Sequence, residues 1–189
     1  KQKKGAYIMD NGASSYRRFL DGDKSAFDEI IEEYRQPLTL FINRYVHDMW
    51  TSEDIAIDVF THLIVHRHHY NFKVQLKTYL FMLGRSRALD HLRRKKKIVF
   101  TTLTEAETVE TEDGPEVQLL RDERKKAVQA AVSTLPQDMQ DAVHLVYFEE
   151  LSYEDAAKIM KKNRKQIDNL LQRSKQKLRS ILGEEGALL

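Results

Sequence analysis

Helix-breaking residues are scarce in this chain, with 3 prolines and 7 glycines among 189 residues. No stretch alternates β-branched and polar side chains as a half-buried strand would. Together these features restrict the chain to helices almost throughout, so the expected fold class is all-α. Ala26, Phe27, Ile30, Ile31 and Tyr34 recur at the spacing of one helix face, and Leu38, Phe41, Ile42 and Tyr45 resume it beyond Pro37. A helical hairpin or a kinked helix is expected there.

A break in composition then divides the chain. Residues 98–120 contain Glu105, Glu107, Glu110, Glu112, Asp113 and Glu116, include Gly114-Pro115, and have no Lys or Arg. Acidic residues with so little apolar company read as a flexible linker. Its flanks, residues 10–97 and 121–189, are rich in Leu, Ile, Phe and Tyr at helical spacing, so each is expected to build its own small helical domain. A net charge of +2 and a pI near 8.7 do not identify a nucleic-acid binder, but the distribution of charge is more telling. Arg85, Arg87, Arg93, Arg94, Lys95, Lys96 and Lys97 bunch in one flank, and a second group spans residues 158–179 in the other. Two basic sites on two domains follow.

The absence of cysteine excludes disulfides, thiolate metal sites and cysteine nucleophiles, and a cytoplasmic location is expected. No run approaches the ~18 apolar residues of a membrane span, and the N-terminal Lys-Gln-Lys-Lys has no hydrophobic signal core after it, so membrane insertion is not expected. No nucleotide-binding loop or catalytic constellation is visible, and neither a catalytic residue nor a cofactor is assigned.

Thr51-Ser52 followed by Glu53 and Asp54 reads as an N-terminal cap for a helix over about residues 53–67. Leu76, Tyr79, Leu80, Leu83, Leu89 and Leu92 mark another helix, expected to end in the cations of residues 93–97, which would suit its dipole. In the second flank one helix runs through Val128 and Val132 and stops near Leu135-Pro136. The next runs through Met139, Val143, Val146 and Phe148. Ser152-x-x-Asp155 then resembles a capping box opening a short helix over residues 153–160, Lys161-Lys162 turns the chain, and Asn163-x-x-Gln166 caps a last helix to about residue 182. Short helix, tight turn and longer helix make a helix-turn-helix.

On that last helix Ile167, Leu171, Ser174 and Leu178 share a stripe. Arg164, Lys165, Asn169, Arg173 and Lys175, with Lys162 before them, carry the side chains that contact base edges and phosphates. A solvated basic face is the commoner meaning of such a pattern, and the helix-turn-helix frame raises the DNA-binding one above it. In the first flank Tyr70, Phe72 and Tyr79 border the polar segment 71–75 just before a basic helix, an arrangement suited to unstacked bases. His62, His66, His68 and His69 lack the carboxylate or thiolate company of a metal site, and no metal is assigned.

Leu135-Pro136-Gln137, the run from Leu145 to Ala157 (Leu-Val-Tyr-Phe-Glu-Glu-Leu-Ser-Tyr-Glu-Asp-Ala-Ala), and the helix from Ile167 to Leu178 resemble region four of sigma factors. Ala26-Phe27-Asp28-Glu29 with Tyr34-Arg35, the run from Ser52 to Phe60 (Ser-Glu-Asp-Ile-Ala-Ile-Asp-Val-Phe), and Tyr79-Leu80 with residues 83–94 resemble region two in order and spacing. With no third domain between them, the layout is similar to the extracytoplasmic-function group of the sigma-70 family. The resemblance implies a non-catalytic promoter-specificity subunit whose partners are core RNA polymerase, promoter DNA and, as a further candidate, an anti-sigma factor. Asp54, Ile57 and Asp58 would dock on polymerase. Tyr70, Asn71, Phe72, Lys73, Lys77, Tyr79, Arg85 and Arg93 would capture the melted minus-ten strand. Lys162, Arg164, Lys165, Asn169, Arg173 and Lys175 would read the minus-thirty-five duplex. Ile57, Ser86, Asp168 and Leu170 stand where the family usually has Gln, Asn and basic residues. The competing expectations are a helix-turn-helix regulator that never joins polymerase and an RNA-binding or anti-termination protein.

Overall fold

The computed structural model describes residues 11–101 and 123–182, and every regular element among them is helical. The chain separates into two compact units, Lys1–Ala106 and Glu107–Leu189.

In the first unit α1 (Asn11–Leu20), α2 (Ser25–Val46), α3 (Met49–Val65) and α4 (Leu76–Thr101) enclose a single core. Helix α2 runs unbroken through Pro37, which sets aside the hairpin alternative. An interior proline costs about 3 kcal/mol. Leu38, Phe41 and Ile42, all fully buried, offset that, since each apolar side chain taken out of water contributes about 1.5–3 kcal/mol. Gly84 of α4 permits the closest approach to α2, because a Cβ there would lie 2.8 Å from Leu38 Cδ1 and 3.4 Å from Ile42 Cδ1.

Two boundaries differ from expectation. Helix α3 begins at Met49 because Asp48, not Thr51 or Ser52, is its cap: the Asp48 carboxylate accepts from the Thr51 N–H at 3.0 Å. Ser52 instead lies buried in the first turn, its hydroxyl donating to the Asp48 carbonyl at 2.6 Å. Helix α4 does not stop at the cations of residues 93–97 but continues to Thr101, so its last turn carries no basic residue. The first part of the expected linker is therefore helical, and its residues 102–120 lie outside the described ones.

The second unit holds α5 (Glu123–Ser133), α6 (Gln137–Val143), a π-helical segment (His144–Phe148), α7 (Tyr153–Met160) and α8 (Arg164–Leu182). The uniform helix expected through Val146 and Phe148 is thus interrupted. Glu149 N–H donates to the His144 carbonyl at 3.0 Å, and the wider turn sets the Glu149 carboxylate 3.2 Å from His144 Nε2, both side chains largely buried. Leu145 consequently takes the core position, while Phe148 stands half exposed.

The helix-turn-helix forms as its sequence dictates. Ser152 Oγ accepts from the Asp155 N–H at 3.1 Å. Lys161 adopts a left-handed turn with φ 54°. Asn163 and Gln166 then exchange bonds, each backbone N–H donating to the other's side-chain oxygen at 2.8 Å. This reciprocal cap satisfies amides that a helix start leaves open. Ala156, Ile159, Ile167 and Leu171 close the angle between α7 and α8.

Candidate nucleic-acid and protein interfaces

The recognition-helix candidates divide by geometry. Ile167, Leu171, Ser174 and Leu178 are the buried stripe of α8, and Lys165, Asn169 and Arg173 lie exposed on the opposite side. None of these three makes a side-chain hydrogen bond or ion pair among the described residues. Their donors are therefore available to a ligand. Arg164 is equally exposed but rests on Glu154 at 3.3 Å. Lys162 is tied back to Asp138 of α6 at 3.0 Å. Lys175 faces elsewhere: its ammonium lies 5.5 Å from the Tyr147 ring and lines an apolar groove with Val128, Val132, Val143, Phe148 and Leu178. Six-residue spacing from Asn169 turns it toward the core edge of the helix, apart from Lys165, Asn169 and Arg173. Leu170, three residues after the buried Ile167, is half-buried beside that stripe.

In the first unit the aromatic candidates also separate. Tyr70 is only 3% exposed and donates its hydroxyl to the Val74 carbonyl at 2.7 Å. It is a core residue, and its assignment as a base-stacking surface is corrected. Its ring instead supports two others, Phe72 at 4.7 Å and Tyr79 at 5.2 Å between centroids, both partly exposed. Burial raises the Tyr79 hydroxyl above its ordinary range. Between them Asn71 turns the loop by accepting the Lys73 N–H on its side chain at 3.1 Å, and both residues are exposed.

The cations beyond this loop are not equivalent. Arg85 is drawn inward, donating to the Tyr45 hydroxyl at 3.1 Å, and Lys77 lies against the Phe81 ring of its own helix at 5.9 Å. Arg93 pairs with Asp90 at 2.8 Å yet stays largely exposed. The rings of His62, His66 and His69 gather within 4.5–5.5 Å of one another. No group of His, Cys, Asp or Glu among the described residues is arranged to hold a metal ion.

A second surface runs along α3. Asp54 and Asp58 are exposed, and Ile57 between them is 55% exposed. Arg87 of α4 reaches Asp58 at 3.7 Å. Sequence reasoning missed Trp50, which is 80% exposed, and Ile64 and Val65, which continue the same outer side of α3. Large apolar side chains kept in water as one patch commonly serve as interaction surfaces. Their signal was present in the sequence, because Trp50, Ile57 and Ile64 repeat at seven-residue spacing, out of phase with the buried Ile55, Val59 and Leu63.

Two helical units, one with a helix-turn-helix and the other with an exposed apolar, acid-edged face on α3, are the layout of a bipartite transcription factor. Residues 30–98 match the family model described as sigma-70 region 2, and residues 125–178 match sigma-70 region 4. Among curated relatives, the RNA polymerase sigma-H factor of Pseudomonas aeruginosa is 32% identical over 154 residues, covering 76% of this chain and 79% of that protein. The extracytoplasmic-function sigma factor SigM of Bacillus subtilis is 27% identical over 156 residues, covering 82% and 93%. Two of the solved structures that share the fold are complexes. The sigma factor RpoE of Bartonella quintana, in complex with the anti-sigma factor NepR, gives a TM-score of 0.63 at 19% identity over 84% of this chain and 97% of that one. CnrH, in complex with the cytosolic domain of CnrY, gives 0.59 at 14% identity over 91% and 94%. The chain belongs to the sigma-70 family, in its extracytoplasmic-function group, and is an RNA polymerase sigma factor.

Proposed function

We propose that the chain initiates transcription through three separate surfaces. Asp54, Ile57 and Asp58, joined by Trp50, Ile64 and Val65, dock on core polymerase. Asn71, Phe72, Lys73 and Tyr79, with Arg93 and its neighbours on α4, hold the melted minus-ten strand. Arg164, Lys165, Asn169 and Arg173 read the minus-thirty-five duplex. The observation that carries this reading is the unpaired, exposed set Lys165, Asn169 and Arg173 on a helix whose start is fixed by the Asn163–Gln166 cap. Side chains with free bidentate or cationic donors on a rigid helix are what the major groove selects.

Promoter melting in this scheme is driven by binding. Each captured base loses its stacking in the duplex and regains about 1–3 kcal/mol on an aromatic ring. The protein therefore needs no catalytic group of its own, and we assign it none. No helix among the described residues is long and apolar enough to cross a membrane, and we place the factor in the cytoplasm with its polymerase. An anti-sigma protein, as NepR is for RpoE, is proposed as a further partner.

Run-off transcription on a promoter library tests the whole scheme. Discrete products are expected only when core polymerase and this chain are both present. Sequence-specific duplex binding by the chain alone, with no transcript on adding core enzyme, would point instead to a regulator that acts without joining polymerase.

A further inference from the structure

We infer that Arg17 of α1 is a further nucleic-acid-binding residue, a phosphate contact for the single strand, held over the ring of Phe72. The inference rests on the proposed minus-ten role of the loop that carries Phe72. Helix α1 lies outside the segments that sequence reasoning assigned to DNA.

Four observations lead there. The Arg17 guanidinium carbon sits over the Phe72 ring, 4.9 Å from its centroid, within the range of a cation–π contact. Arg17 is exposed and has no carboxylate partner among the described residues. The adjacent Arg18 shows the contrast, since Asp23 at 2.6 Å and Glu29 at 3.0 Å take its donors. Lastly, Phe72 is held in the left-handed region with φ 61°, a conformation that a bulky residue adopts only when its surroundings impose it.

Those surroundings come from α1 itself. Tyr16 is fully buried, and its hydroxyl lies 3.0 Å from both the Leu63 and Arg67 carbonyls, where it can donate at the end of α3. Its ring meets Tyr70 at 5.5 Å and Phe72 at 6.1 Å. Helix α1 is thereby joined to the loop, and Phe72 is fixed under Arg17. A guanidinium held over an aromatic ring can still turn N–H donors outward, and with no acid among the described residues to take them they point to an anion. The anion available beside an aromatic platform for an unstacked base is the phosphate of that nucleotide or its neighbour.

The test uses holoenzyme assembled from core polymerase and the full chain, with forked promoter duplexes whose single-stranded segment is randomised. Affinity is read by fluorescence anisotropy across a salt series. Arg17→Ala is expected to weaken binding roughly five- to ten-fold for all sequences alike and to lower the log–log salt slope by about 0.7, the value for one phosphate on a single strand. Arg17→Lys is expected to recover the slope but not the full affinity, because the ammonium keeps the charge and loses the stack. In a Phe72→Leu background the Arg17→Ala effect should shrink, since the ring that orients the guanidinium is gone.

If Arg17→Ala leaves affinity and slope unchanged while Phe72→Leu weakens binding, the inference is overturned and the minus-ten reading stands. If wild-type holoenzyme fails to bind the forks at all, both fall. If Arg17→Ala instead lowers affinity for core polymerase, the contact is to protein, and the inference is again overturned.

Discussion

Gly84 and Leu38 are in such close approach that any side chain on the glycine would press against a core leucine, 2.8 Å from the nearest methyl. Two effects oppose one another on substitution. Alanine gains about 1 kcal/mol in helix propensity over glycine, whereas overpacking a full core costs about 1–3 kcal/mol. Leu38 is completely buried, so the second effect prevails. Gly84→Ala should lower the unfolding free energy by about 1 kcal/mol, and Gly84→Val by more. Chemical denaturation of the free protein is the check, and a stabilised Gly84→Ala variant would show that the α2–α4 contact can relax.

The docking face of α3 should respond most at Trp50. Exposed tryptophans that become buried on association commonly carry more than about 2 kcal/mol, so Trp50→Ala is expected to weaken core-polymerase binding about thirty-fold without lowering the melting temperature. Reversal of both Asp54 and Asp58 should abolish co-purification, because two like charges would then face the partner. Retained co-purification in both variants would place polymerase elsewhere on the molecule.

Acid sensitivity should arise at His62. Burial comes first, followed by the nearby His66, Arg87 and His69, in pushing its imidazole below the ordinary value of 6.5. The folded state thus prefers the neutral ring. Its contribution is fully present above the ordinary value and is lost as pH falls below it. Asp23, Glu29 and Asp48 are shifted downward by their hydrogen bonds to Ser25, Ser15 and Thr51, and their contributions fade only in stronger acid. Melting temperatures followed from about pH 7.5 to about pH 5 should therefore fall less in His62→Gln than in wild type. Parallel curves for the two proteins would remove His62 as the source.

On α8, Asn169→Ala should relax one position of the minus-thirty-five element at a cost of about 1–3 kcal/mol, whereas Lys165→Ala should weaken every promoter alike. Lys175→Ala should change neither, because its ammonium is turned to Tyr147. A promoter-library selection with the three variants in parallel distinguishes them. A uniform loss in Asn169→Ala would mean that this residue holds backbone instead.

The features readable in sequence were those set by near neighbours. Ser152 with Asp155, and Asn163 with Gln166, are caps whose partners lie one helical turn apart, so local residue order was enough to expect the helix-turn-helix. Asp54, Ile57 and Asp58, which the family resemblance singled out, lie exposed on α3. What escaped depends on contacts between distant segments. Tyr70 looks like a surface aromatic until Tyr16 of α1 covers it. The π-helical segment needs Glu149 folded back over His144. The start of α3 was misplaced because Asp48 and Thr51 are both acceptable caps, and only the observed bond from the Thr51 N–H decides between them.

One buried ring, Tyr70, carries both Phe72 and Tyr79 on its surface. The two cannot then be treated as separate contributors, and energies measured at one depend on what stands at the other. Loss of the shared support in Tyr70→Ala would move both rings at once, so adding Phe72→Ala to that background should cost less than it does in wild type. Any replacement at Tyr70 therefore acts on both rings together and cannot be read as a change at one of them.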